Sequence, residues 1–149
     1  MHSFNKKQTL PYKAQDLFKV IMDIESYPEF LPWCLAARIV SEHPDHIIAE
    51  LVIGFKAFTE SYNSKISVKS ENENYEIEVE AISGPFKKLY NCWKINQLDD
   101  NTSEVEFFIE FSFNSFILDS LVGIFFKEAT EKMIDAFNER CKKLLSQSS

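Results

Sequence analysis

The chain has 149 residues, 45% of them apolar and 14 of them Phe, with a net charge of −7 and a pI near 5.0. A domain of this size buries roughly 70% of the surface its unfolded chain exposes, so one domain over residues 1–149 is expected to fold without a disulfide or metal staple. The first 75 residues carry −2 and the rest −5, which argues against a face that neutralises phosphates and so against DNA as a partner.

Phe4 to Leu10 reads as a weak first strand ending at Pro11. Leu17, Val20, Ile21 and Ile24 recur at i, i+3, i+4 and i+7, which predicts a helix from about Ala14 to Ile24. Pro28 and Pro32 then exclude a long helix, leaving a short turn or aromatic loop over Tyr27 to Trp33. Strands follow. Cys34 to Val40 comes first, with a turn at His43-Pro44-Asp45-His46. Ile47, Ala49, Leu51, Ile53 and Phe55 alternate, as do Tyr62, Ser64, Ile66 and Val68. Beyond a polar turn, Tyr75, Ile77 and Val79 face one way and Glu76, Glu78 and Glu80 the other. Ser83-Gly84-Pro85 breaks the pattern, Leu89 to Leu98 resumes it, and Val105, Phe107, Ile109, Phe111 and Phe113 close it. From there the period changes to 3.6. Val122, Phe126, Ala129, Met133, Phe137, Arg140 and Leu144 mark a helix of 25 residues or more, with Asn114, Ser115 or Asp119 as N-cap and a bend near Gly123. A twisted antiparallel meander curling around one long helix is the expected α+β architecture.

Several chemistries lack their residues. Three glycines supply no phosphate-binding loop. His43 and His46 read as a solvated turn rather than a metal site, and no metal or cofactor is expected. No G-x-S-x-G occurs. Alternation places Glu76, Glu78, Glu80, Glu104, Glu106 and Glu110 outward, on a solvated face rather than in an acid/base pair. Cys34, Cys92 and Cys141 are isolated and read as reduced core thiols. The first seven residues carry no signal-peptide core, and no apolar run approaches a membrane span, so a cytoplasmic protein, or one peripheral to the inner membrane, is expected.

The segment Asp23-Ile24-Glu25-Ser26-Tyr27-Pro28-Glu29-Phe30-Leu31-Pro32-Trp33-Cys34 resembles the hallmark of the coenzyme Q-binding START-domain family, part of the polyketide cyclase/dehydrase superfamily. Ala49 to Lys56, Ser83 to Leu89, Trp93, Phe107 to Phe113, and Ala136-Phe137 with Arg140 extend the resemblance over nearly the whole chain. It implies a helix-grip fold, with a curved antiparallel sheet of about seven strands around the C-terminal helix. It also implies a chaperone for ubiquinone or a related isoprenoid lipid that supports respiration. The same family includes proteins named as ribosome-association toxins, so interference with ribosomal subunit joining stays open as an alternative. A cyclase-type enzyme is a third.

Common parity and the shared helical stripe nominate a ligand cavity lined by Leu51, Ile53, Phe55, Tyr62, Ile66, Trp93, Phe107, Ile109, Phe111, Phe126, Met133 and Phe137. Tyr27, Phe30, Leu31, Pro32 and Trp33 are expected to cap one mouth, or else to plug the core. Glu60, Tyr62 and Asn91 are candidates for a polar anchor, and Arg140 either reaches a ligand or snorkels. The inward faces look almost purely apolar, which favours holding a greasy molecule over catalysis. The segment Phe116 to Phe126 is too apolar for one buried stripe, so either it meets a membrane through Leu118 and Leu121, or the short helices and the loop after Phe55 cover it, or it forms a dimer contact.

Overall fold

Alternating apolar residues force the middle of the chain into strands, and short polar turns force each strand back along its predecessor. β2 (Cys34–Glu42), β3 (Ile47–Phe55), β4 (Phe58–Glu71), β5 (Asn74–Ala81), β6 (Phe86–Asp99) and β7 (Thr102–Phe113) pair in sequence as an antiparallel meander. β1 (His2–Leu10) adds on the free side of β7, giving a seven-stranded sheet of order β1-β7-β6-β5-β4-β3-β2. The computed structural model describes residues 1–55, without the Phe55 side chain, and residues 58–146. The β4–β5 hairpin closes over two residues, Asn72 and Glu73, both at positive φ (51° and 69°). That backbone matches the right-handed twist of the flanking strands.

α1 (Ala14–Met22) buries Leu17, Val20 and Ile21, and Phe18 stacks on Tyr75 of β5 with ring centroids 4.3 Å apart. A short 3-10 helix, Ile24–Glu29, follows, with Pro28 inside it. α2 (Phe116–Leu145) lies along the inner face of the curved sheet and buries Phe126, Thr130, Met133, Ile134, Phe137 and Cys141. Each large apolar side chain in that stripe contributes about 2 kcal/mol relative to an exposed one. Ser115 is the N-cap, its side chain accepting from the Leu118 N–H at 3.2 Å. Asp119 turns back to accept from the Phe113 N–H at 2.8 Å. That bond, helped by nearby His2, holds its carboxyl below the usual range.

The structure departs from the sequence reading locally. β1 starts at His2, two residues early, because its inward set (His2, Phe4, Lys6, Gln8, Leu10) is too polar to show as alternation. Gln8 compensates by accepting from the Asn138 amide of α2 at 2.9 Å. β6 starts at Phe86, where a register shift between Phe86 and Lys88 hides the period. α2 is helical throughout Phe116–Leu145, and Gly123 has a steric role. A Cβ there would lie 2.6 Å from the His2 imidazole. The outer face carries cross-strand pairs, including Lys69–Glu78 at 3.9 Å and Asn5 donating to Glu106 at 3.3 Å.

Gly84, between β5 and β6, has φ +104°, and a Cβ on it would meet Tyr62 Cβ at 2.4 Å and the Ser61 carbonyl oxygen at 2.9 Å. Gly84→Ala therefore combines backbone strain with a clash that the sheet cannot relieve. It should cost about 3 kcal/mol, read as a lower urea midpoint with an unchanged denaturation slope.

Candidate functional site: a two-chamber apolar cavity

One helix does not fill the inner face of the sheet, and two connected hollows remain. The inner chamber, about 110 Å³, lies under α1 and the 3-10 helix. The outer one, about 150 Å³ and more open to solvent, lies under α2 between Val122 and Met133. Trp33, Tyr62, Leu89, Ile109 and Met133 border both and form the waist between them. Strand register explains the shared wall. Tyr62 faces Leu51 across β3–β4, and Ile109 faces Asn91 across β6–β7, so same-parity residues line one continuous surface.

Of the residues nominated from sequence, Leu51, Ile66, Trp93, Phe107 and Phe137 line the inner chamber. Ile53, Phe111 and Phe126 line the outer one, and Tyr62, Ile109 and Met133 line both. The side chain of Phe55 lies outside the described residues. The inner wall also takes Ile21, Met22 and Ile24 from the first helical region and Ser64, Ile77, Val79, Leu89 and Asn91 from the sheet. Ser64 was visible in the sequence only as a member of an alternating strand.

The nominated cap divides. Tyr27 and Leu31 line the inner chamber and Trp33 the waist. Phe30 and Pro32 depart from expectation. Phe30 lines neither chamber but backs the wall, packing on Phe137 at 5.2 Å and under the Arg140 guanidinium at 5.0 Å. Pro32 is exposed and lines neither chamber; it borders a surface depression that adjoins the outer one at Trp33, Gly54 and Ala129. Arg140 reaches no chamber; it pairs with Glu29 at 3.5 Å and ties α2 to the 3-10 helix. Glu60 also lines neither chamber.

Polar groups on the walls are few. The Tyr27 hydroxyl donates to the Ile21 carbonyl, and Thr130 Oγ1 donates to the Phe126 carbonyl at 2.9 Å. Burial pushes the Tyr27 and Tyr62 phenols above their ordinary pKa, so both stay neutral donors. Cys34 and Cys141 line neither chamber, and burial pushes both thiols up to about 11. Among the described residues no carboxylate, His or Lys lines either chamber. Nor is any group of three or more His, Cys, Asp or Glu placed to hold a metal ion.

Outside the outer chamber, the first turns of α2 present an apolar face to solvent. Phe116 is 85% exposed, Ile117 81% and Ile124 76%, with Leu121 beside them. Leu118 corrects the expectation: with Val122 it packs against the core, so the outward stripe is Ile117, Leu121 and Ile124. Among the described residues no helix is long and apolar enough to cross a membrane.

A seven-stranded antiparallel sheet gripping a long helix over an apolar hollow defines a START-like helix-grip protein. A START superfamily structure from Mycobacterium smegmatis superposes with a TM-score of 0.80 over 97% of this chain and 99% of that one, at 17% identity. The sequence model of the family described as polyketide cyclase/dehydrase and lipid transport matches residues 10–138, and the chain belongs to that family. It is 48% identical to the ribosome association toxin RatA of Rickettsia prowazekii, over 97% of this chain and 99% of that one. It is 35% identical to the mitochondrial coenzyme Q-binding protein COQ10 of Dictyostelium discoideum, over 94% of this chain and 69% of that one.

Trp33→Ala removes the ring that separates the chambers. A bound uncharged apolar dye, N-phenyl-1-naphthylamine, should leave this variant at least about fivefold faster in stopped flow, while the melting temperature falls by only a few degrees. Equal release rates would make Trp33 a simple core plug.

Proposed function

We propose that this protein holds a hydrophobic small molecule, an isoprenoid quinone of the ubiquinone type, and chaperones it without covalent chemistry. The observation that carries this reading is the two-chamber apolar cavity whose more open end lies beside an exposed apolar helix face. Each chamber is smaller than the roughly 300 Å³ at which drug-sized sites begin. In this reading the ring would occupy one chamber, and a long tail would run through the second and out along α2. Burial of each tail CH₂ contributes about 0.8 kcal/mol, so such a tail binds without specific polar contacts. The neutral phenols of the site support holding rather than reacting. The name of the Dictyostelium relative supports the quinone, and this role would support respiration.

A second reading has its own support in the name of the Rickettsia relative: association with the ribosome. The net charge of −7 weighs against an RNA-binding face. One preparation separates the two. Protein purified from its own host is analysed by native mass spectrometry and solvent extraction, then sedimented with ribosomal subunits. A co-purifying quinone with no ribosome association is the expected result. Lipid-free protein that sediments with a subunit would replace the carrier reading by the ribosomal one.

Membrane contact through α2 follows from the same reading, because a quinone carrier must meet the bilayer. The acidic chain is not drawn to anionic lipid, so the exposed apolar stripe would supply the attachment. Ile117→Glu and Ile124→Glu replace exposed side chains and should change stability by no more than about 0.5 kcal/mol. Both should lower binding to phosphatidylcholine vesicles in flotation assays. Folded variants that float like the parent would remove this face as the membrane contact.

A further inference from the structure

Ser64 does not fit the apolar logic of the inner chamber. It is 1% exposed, it lies on the chamber wall, and among the described residues its Oγ makes no hydrogen bond of normal geometry, although the Tyr62 phenol lies near enough to interact with it. The strand register sets it between Ala49 and Ala81, so small neighbours leave room above it. An alanine would pack as well there and leave no orphaned hydroxyl, since a buried polar group without a partner is destabilising. Two further donors share the chamber. The Asn91 side chain makes no hydrogen bond among the described residues. Tyr62, close enough to Ser64 for that hydroxyl to ease its ionisation slightly, is held neutral by burial. Ser64 is on β4 opposite Ala81 and Asn91 on β6 opposite Val79, two strands across and two residues along, a separation of about 12 Å in the sheet.

We propose that Ser64 and Asn91, with Tyr62 at the waist, form the anchor for a ring head group that carries oxygen acceptors on opposed edges. This deepens, and rests on, the carrier reading above. The Ser64 hydroxyl donates to one acceptor and the Asn91 amide to the opposite one. The ring therefore enters first and sits in the inner chamber, and the tail trails past Tyr62 through the outer chamber towards α2. A hydrocarbon of the same shape leaves both donors unpaired, which makes the chamber selective for a carbonyl-bearing ring over an apolar one. The two tryptophans of the chain, Trp33 and Trp93, both line the inner chamber and report the position of a quinone ring directly.

The probe is decylubiquinone, and decylbenzene is its carbonyl-free counterpart. Binding is read by tryptophan quenching and by the ligand-induced rise in melting temperature. The wild type should prefer decylubiquinone, and Ser64→Ala should reduce that preference about fivefold, with Asn91→Leu acting in the same direction. The empty Ser64→Ala protein should melt no lower than the wild type, because an unpartnered hydroxyl has been removed. An unchanged preference in both variants overturns the anchor while leaving the carrier reading in place. A Ser64→Ala melting temperature several degrees lower also overturns it, by showing that the hydroxyl has a structural partner. A wild type that binds neither probe overturns the carrier reading and the anchor together.

Discussion

Seven strands spaced about 4.8 Å apart make a sheet roughly 29 Å wide before it curls, whereas an α-helix with its side chains is about 10–12 Å across. That mismatch governs the molecule. α2 covers only part of the face it is offered, and α1, the 3-10 helix and Trp33 cover more of it. What is left between them is the pair of chambers. The fold therefore does not need a special device to create a hollow. It needs only large side chains, chiefly Phe, that cover area without closing the space, and inward positions kept small where depth is wanted. Ala49, Ser64 and Ala81 in adjoining strands are such a place.

The covering pieces are held by different means at the two ends of the hollow. Over the inner chamber, Tyr27, Phe30 and Phe137 interlock edge to face, with ring centroids 5.2–5.9 Å apart. Arg140 adds an ion pair to Glu29. Over the outer chamber, α2 is fastened by its capping turn, with Ser115 and Asp119 tying its first turn to itself and to the end of β7. Local opening has a lower free energy where few apolar contacts are lost. The exposed stripe beyond that turn has few apolar contacts to lose, so the proposed carrier would take up its ligand at the outer end.

The strands were legible wherever one face is buried and the other wet, as in β5, where apolar and acidic residues alternate without interruption. The reading weakened where that contrast fails. In β6, Cys92 on the outer face is as buried as Trp93 on the inner one, because Tyr90 and Phe108 form an aromatic patch outside. The alternation that should have marked Trp93 is thereby erased. At the start of α2 the sequence showed too much apolar surface for one stripe but not which residues turn outward. Leu118 is inward only because α2 docks with that phase, a fact of tertiary packing. Ser64 was placed on the correct face by parity. Its significance was out of reach because an unpaired hydroxyl is a property of its surroundings, not of its position in a pattern.

β1 pairs with β7 from His2 against Phe111 to Leu10 against Ser103, so the first residues of the chain wait for partners about a hundred positions later. At ordinary synthesis rates that delay is roughly 5–20 s. Until it ends, β7 cannot be covered on that side and the His2 ring cannot settle over Gly123. The meander from β2 to β6 has only local contacts to make and can assemble on the ribosome, whereas sheet completion by β1 is a long-range, slow event. β1 has no strand edge to join until β7 is in place. Newly made chains therefore pass through a stage with an unpaired edge on β7 and an undocked α2, when the greasy inner face is open to any passing chaperone.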